Sequence, residues 1–246
     1  MFNSIISDKV QVRDGTLVLS GEPIARFLIE SELGRGVNGV VFSGRRIWID
    51  QPCALKVWLQ LKASDTRDKV QQGLAETRKI ASAHPDWVAT TFDADVVGDT
   101  VFTSMELVPG LTLKRHLQTT LCLADRWLLA RLYINGIEKT TTESSAHGDP
   151  HHNNVMVYEH VESKFERGTR LKLIDFGTSL VLGPEAWRKR HWQTVDETFW
   201  RIIRPFTSAR RARSQPIPLG GRPPYLIISY YDDVLNDIKA EAGVLF

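Results

Sequence analysis

Residues 146–157 read Ala146-His147-Gly148-Asp149-Pro150-His151-His152-Asn153-Asn154-Val155-Met156-Val157. An apolar stretch of helical spacing leads into this segment, and an apolar strand-like run leaves it. Between them His147, Asp149 and Asn154 fall within eight residues. Asp149 can accept a proton. Asn154 can offer a neutral oxygen to a hard cation. The imidazoles of His147 and His151 are spaced i,i+4, and His152 adds a third, so a transition-metal site is one reading. Gly148 and Pro150 break the helix which that spacing would require. Gly, Asp, Pro and Asn are also ordinary turn residues, so a plain polar loop is another reading.

The next segment decides between these readings. After a hairpin-like insert at 159–170 comes Leu173-Ile174-Asp175-Phe176-Gly177, a second acidic loop at the end of an apolar strand. Paired strands would bring Asn154 and Asp175 to neighbouring strand ends. One carboxylate for a proton, with an amide and a second carboxylate for magnesium, is a minimal set for phosphoryl transfer.

Upstream, Leu33-Gly34-Arg35-Gly36-Val37-Asn38-Gly39 carries glycines at the first, third and sixth positions of a loop. Such loops let backbone N–H groups approach phosphate oxygens. Dinucleotide folds enter a helix after the last glycine. Here the chain continues as Val40-Val41-Phe42, which predicts a strand–loop–strand hairpin. Lys56 stands in an apolar strand, Cys53 to Trp58, on the face shared by Ala54 and Trp58. A lysine there calls for an anionic partner. Glu76, on a helix expected over about 66–83, is the candidate. Strands are expected at 46–49, 87–92 and 100–105, after a hairpin and a further strand within 9–30. Val108-Pro109-Gly110 interrupts the pattern. The boundary between a strand-rich part, 1–107, and a mostly helical part, 108–246, is placed there. Helices are expected at 111–118, 123–139, 187–203 and 229–242.

Composition narrows the class. The chain has 246 residues, 42% hydrophobic and 24% charged, with a net charge of +2. That is ordinary for a globular protein and too weakly basic to argue for nucleic acid or an acidic membrane surface. Cys53 and Cys122 read as buried free thiols in a reducing compartment. No apolar run reaches the ~20 residues of a membrane span. No secretory signal is visible at Met1-Phe2-Asn3-Ser4, so a cytoplasmic chain is expected.

In this order the motifs resemble the protein-kinase-like superfamily over about residues 30–180. Gly34 to Val41 looks like the nucleotide loop, Ala54-Leu55-Lys56 like the strand lysine, and Met105-Glu106-Leu107-Val108-Pro109-Gly110 like the hinge. His147-Gly148-Asp149 to Asn154 resembles the catalytic loop, and Asp175-Phe176-Gly177 the magnesium motif. The resemblance implies an α+β, bilobal fold: a β-rich N-lobe with one helix and a reduced, mostly helical C-lobe. It implies ATP and Mg²⁺ as cofactors, with Gly34, Gly36 and Gly39 at the phosphates and Lys56, held by Glu76, on two of them. Val41, Ala54 and Met156 would enclose the adenine, Met105 would sit beside it, and the backbone of Glu106 and Val108 would meet its edge. Asn154 and Asp175 would hold the metal, and Asp149 would take the acceptor's proton. Phe176, His147 and Ile80 would pack as one stack.

Two departures stand out. Gly148 replaces the arginine usual beside the catalytic aspartate, which implies activity without activation-loop phosphorylation. His151 stands where many serine/threonine kinases have lysine, giving His-Gly-Asp-x-His-x-x-Asn, a loop more like the RIO and aminoglycoside-phosphotransferase types. Three functions remain open at this stage: a compact bacterial-type serine/threonine protein kinase, a small-molecule phosphotransferase, and a nucleotide-binding pseudokinase scaffold. The basic 204–213 stretch leans toward an acidic or protein partner.

Overall fold

The alternation of Val10-Gln11-Val12-Arg13 and Thr16-Leu17-Val18-Leu19 makes two strands whose apolar side chains share one face. They are the middle of an antiparallel four-stranded sheet: β1 (Ser4–Ile5), β2 (Val10–Arg13), β3 (Thr16–Leu19) and β4 (Glu22–Ile24). The expected hairpin is thus a complete small sheet. The computed structural model describes residues 1–36, 39–59, 81–142, 146–161, 167–175, 184–206 and 224–242. The chain forms two compact units, Met1–Ser82 with Ala89–Leu107, and Ala83–Val88 with Val108–Phe246.

The first unit continues with β5 (Phe27–Gly36), β6 (Gly39–Arg46), β7 (Gln51–Trp58), β8 (Thr91–Val97) and β9 (Thr100–Glu106). These pair antiparallel in the order β5-β6-β7-β9-β8. Val10, Val12, Leu17 and Leu19 cluster with Phe27, Val40, Phe42, Leu55, Val57 and Phe102. Each fully buried side chain of this kind contributes about 1.5–3 kcal/mol. The N-terminal sheet therefore covers one face of the five-stranded sheet, leaving the other for different work. Lys9 pairs with Asp99 across the two sheets.

Two local expectations change, and a third lies mostly outside the described residues. Residues 47–49 form a single 3-10 turn rather than a strand, with Trp48 exposed, and Asp50 closes it in a left-handed conformation. The strand expected at 87–92 starts at Thr91. Trp87 and Val88 belong instead to the second unit, where Val88 bridges Leu173 in parallel. Of the helix over 66–83, only residues 81–83 are described, and they are helical; Glu76 and Ile80 lie outside the described residues.

The second unit holds β10 (Leu111–Thr112), β11 (Val155–Val161) and β12 (Arg167–Leu173), paired in that order. It also holds α1 (Leu113–His116), α2 (Leu123–Thr140), α3 (Pro184–Ile203) and α4 (Pro224–Ala242). Gly110 has φ +98°, and a Cβ there would lie 2.2 Å from the Val157 carbonyl oxygen, so only glycine fits. The α2 helix buries Leu129, Tyr133, Ile134 and Ile137, and α3 buries Val195, Phe199, Ile202 and Ile203. Cross-links between helices are specific: the Trp127 indole donates to Leu235 O at 3.0 Å, and Arg126 donates to Ile202 O at 3.1 Å. Cys122 is exposed, contrary to expectation. Its sulfur accepts from the Asp125 amide at 3.4 Å, as the N-cap of α2. Cys53 is buried, and desolvation raises its thiol pKa to about 11. No helix among the described residues is long and apolar enough to cross a membrane.

Candidate active site

The loop between α2 and β11 is held from inside the second unit. Gly148 takes φ +86°, which turns the chain so that both neighbours point inward. His147 is fully buried. Its Nε2 donates to Ile174 O at 2.7 Å, and its Nδ1 accepts from the Asp149 amide at 3.3 Å. Burial lowers its pKa to about 4, so the ring is neutral and both nitrogens have defined roles. Asn154 closes the loop. Its Nδ2 donates to Asp149 O at 3.0 Å, and its backbone carbonyl accepts from the Ile174 amide at 2.9 Å. The strand register Val155↔Leu173 places Asn154 beside Ile174, one residue before Asp175. Asp175 has φ +63°, an uncommon conformation for a residue other than glycine. Thus Asp149 and Asn154 belong to one hydrogen-bonded assembly with Ile174, and Asp175 is the next residue along the chain.

The Asp149 carboxylate is 7% exposed. Arg190 donates to its Oδ2 at 2.8 Å and Thr194 to its Oδ1 at 3.3 Å, both from α3. His151 Nε2 lies 3.8 Å from Oδ2, outside hydrogen-bond reach. The Tyr133 hydroxyl donates to Pro150 O at 2.8 Å, and burial pushes its pKa up. His152 accepts from Arg201 at 3.4 Å, and its pKa is lowered to about 4 by burial and then by Arg201. No group of three or more His, Cys, Asp or Glu fit to hold a metal occurs among the described residues. The three histidines of the loop do not converge on an ion.

In the first unit, strand register assembles a second set. Gly34, Val41, Lys56 and Thr103 form one cross-strand row, and Ser43, Ala54 and Met105 form the next on the same face. This face lies opposite the one covered by the N-terminal sheet. Lys56 is 5% exposed, not a surface lysine, and its Nζ sits 3.6 Å from the centroid of the Trp58 ring. A Cβ on Gly34 or Gly36 would meet nothing within 4 Å, whereas one on Gly39 would lie 2.3 Å from Val57 O. None of the three has positive φ. Gly39 is therefore required by its neighbouring strand, and the other two leave open space. The Glu106 amide donates to Thr90 O at 2.8 Å. In the second unit Val108 is buried, and Met156, half-buried, pairs with Thr112 and Lys172. Phe176 and Gly177 lie outside the described residues.

Residues 27–199 match the protein kinase domain family. That span covers most of the chain. The chain belongs to the protein kinase domain family. As a member, this kinase is an ATP-dependent phosphotransferase. Its fold is also that of the Mycobacterium tuberculosis PknI kinase domain. A double-mutant form of that domain superposes with a TM-score of 0.62 at 16% identity, covering 89% of this chain and 96% of that one. Another structure of the PknI kinase domain gives 0.60 at 14%, covering 87% and 97%. Identities this low speak for the fold alone.

The residues that sequence reasoning missed in this kinase are Arg190 and Thr194. Each looked like one more polar position on an amphipathic helix. A partner 41 or 45 residues away leaves no trace in local periodicity.

Proposed function

We propose that this kinase transfers the γ-phosphoryl group of ATP to a serine or threonine hydroxyl of a protein, with Asp149 as the proton acceptor. The observation that carries the reading is the pair of bonds at Ile174: its carbonyl holds His147 and its amide holds Asn154. Through Ile174, the loop that carries Asp149 and Asn154 is tied to the strand end that leads into Asp175, which supports the reading.

The donor set fits the cation that ATP brings. With Nδ2 committed to Asp149 O, the Asn154 Oδ1 remains the acceptor side of the amide, and Asp175 adds carboxylate oxygens. Such oxygen donors suit Mg²⁺ and not a soft metal. When bound, Mg²⁺ offsets the negative charge of the phosphates. In the first unit, Gly34 and Gly36 leave the space a phosphate needs, and Lys56 supplies a positive charge on the same sheet face. Glu76 is the residue proposed to hold Lys56. Asp149 orients the acceptor hydroxyl and receives its proton. His147, neutral and fully buried, sets the loop and moves no proton.

The test is incubation of the purified chain with γ-labelled ATP, Mg²⁺ and a bacterial lysate, alongside Asp149→Asn. Label is expected on protein serine or threonine, and transfer is expected to fall about 10²–10⁴-fold in the variant while ATP binding is kept. Label on small metabolites alone would overturn the protein acceptor. Equal transfer by the variant would overturn the role of Asp149.

A further inference from the structure

We propose that Arg190 is the positioning residue of this active site: α3 supplies the cation that orients the catalytic carboxylate. This rests on the phosphotransfer reading above.

The geometry is directional. Arg190, Thr194, Thr198 and Arg201 recur at intervals of four, four and three, so they form one stripe of α3. Every member addresses the same loop. Arg190 and Thr194 hold the two oxygens of Asp149. Thr198 bonds the Tyr133 hydroxyl, which in turn holds Pro150 O. Arg201 donates to His152. Asp149 and His152 therefore meet this face of α3 directly, and Pro150 is reached through Tyr133. The sequence of the loop shows why an outside cation is needed. Gly148 beside the base carries no side chain, and His151 two positions on lies 3.8 Å from the carboxylate.

Counting donors and lone pairs shows that this arrangement does not exhaust the acceptor capacity of the base. A carboxylate offers about four acceptor sites, and Arg190 and Thr194 take two, leaving room for an acceptor hydroxyl. A guanidinium has five N–H donors. Arg190 spends one on Asp149 while half of its side chain stays exposed. The contact is charge-assisted and links a buried carboxylate to a half-exposed cation, so it fixes the rotamer of Asp149 in the absence of any phosphorylated loop residue.

The experiment compares wild type, Arg190→Ala, Arg190→Lys and Asp149→Asn, each confirmed folded by its melting midpoint. Arg190→Ala is expected to lower kcat about 10- to 100-fold, with the KM for ATP within about twofold. Arg190→Lys should recover much of that loss, because charge at the site is retained. Millimolar guanidinium should raise the rate of Arg190→Ala several-fold and leave wild type unchanged, a response that a merely structural arginine would not give. A second readout needs no turnover: in the nucleotide-free protein, the Arg190 side-chain ¹⁵N resonances should be restrained in wild type and released in Asp149→Asn. An Arg190→Ala variant as fast as wild type overturns the positioning role, and a faster one shows Arg190 to be a brake. Identical arginine resonances in wild type and Asp149→Asn overturn the pairing itself. An inert wild type that still shows the restrained arginine overturns the phosphotransfer reading, and the positioning role with it.

Discussion

The five-stranded sheet of the first unit and the loop at 146–154 of the second solve different problems. On the sheet, functional side chains are placed by register: Gly34, Val41, Lys56 and Thr103 align because neighbouring strands pair and side chains alternate. In the loop, no periodic element sets positions. Each polar group is held by a bond to something far away in sequence, such as His147 to Ile174 or Asp149 to Arg190. A site built on register tolerates changes that keep the pleat. A site built on buried polar contacts loses its form when one partner goes, because the remaining group stays desolvated.

This contrast can be broken or sharpened by mutation. Lys56→Met keeps the buried volume and the strand, so phosphate transfer should fall about 10²–10³-fold while the melting midpoint stays close to wild type. A collapsed melting curve would make Lys56 structural instead. Acid should strike the second unit first. His147 and His191 are buried, with pKa values of about 4 and about 3 against an ordinary 6.5. Between pH 6.5 and 4 the unfolded chain binds protons that the folded chain does not, so stability present above pH 6.5 is lost as pH falls. For His147 this amounts to about 3 kcal/mol, read as a drop in denaturant midpoint that His147→Gln should reduce.

Smaller effects separate the two glycine roles. Gly39→Val should cost about 2 kcal/mol or more, because its Cβ meets the Val57 carbonyl oxygen. Tyr133→Phe leaves Pro150 O without its donor and should cost about 1–2 kcal/mol, together with a slower reaction. Gly34→Ala enters open space and should change stability by less than about 0.5 kcal/mol, with its effect confined to nucleotide affinity in a binding titration. If Gly34→Ala destabilised as much as Gly39→Val, the openness of that position would be wrong.

Much of this was legible beforehand, and the failures share a cause. Apolar spacing predicts helices at 123–139 and 187–203, and the structure has them at 123–140 and 184–203; the face shared by Ala54, Lys56 and Trp58 follows from a period of two. Arg46 to Ile49 misleads because branched and aromatic residues favour strands, yet here Ile47, Trp48 and Ile49 sit exposed on a turn that Asp50 ends. Trp87-Val88 misled in the same way: they look like the start of β8 but serve the other unit, where Trp87 packs against Gly136. The apolar neighbours of Cys122 point to burial, but it is exposed and its sulfur caps a helix.

Sequence alone determined the kinds of groups present and their order: two acidic loops, a glycine hairpin, a strand lysine and a loop with no arginine beside its aspartate. Those are matters of covalent chemistry and short-range period, which a linear chain carries in full. Only the tertiary structure decided how the aspartate is held. The bond from Arg190 spans 41 residues, and its strength comes from the burial of Asp149, a quantity that exists only once α3 has packed against the loop.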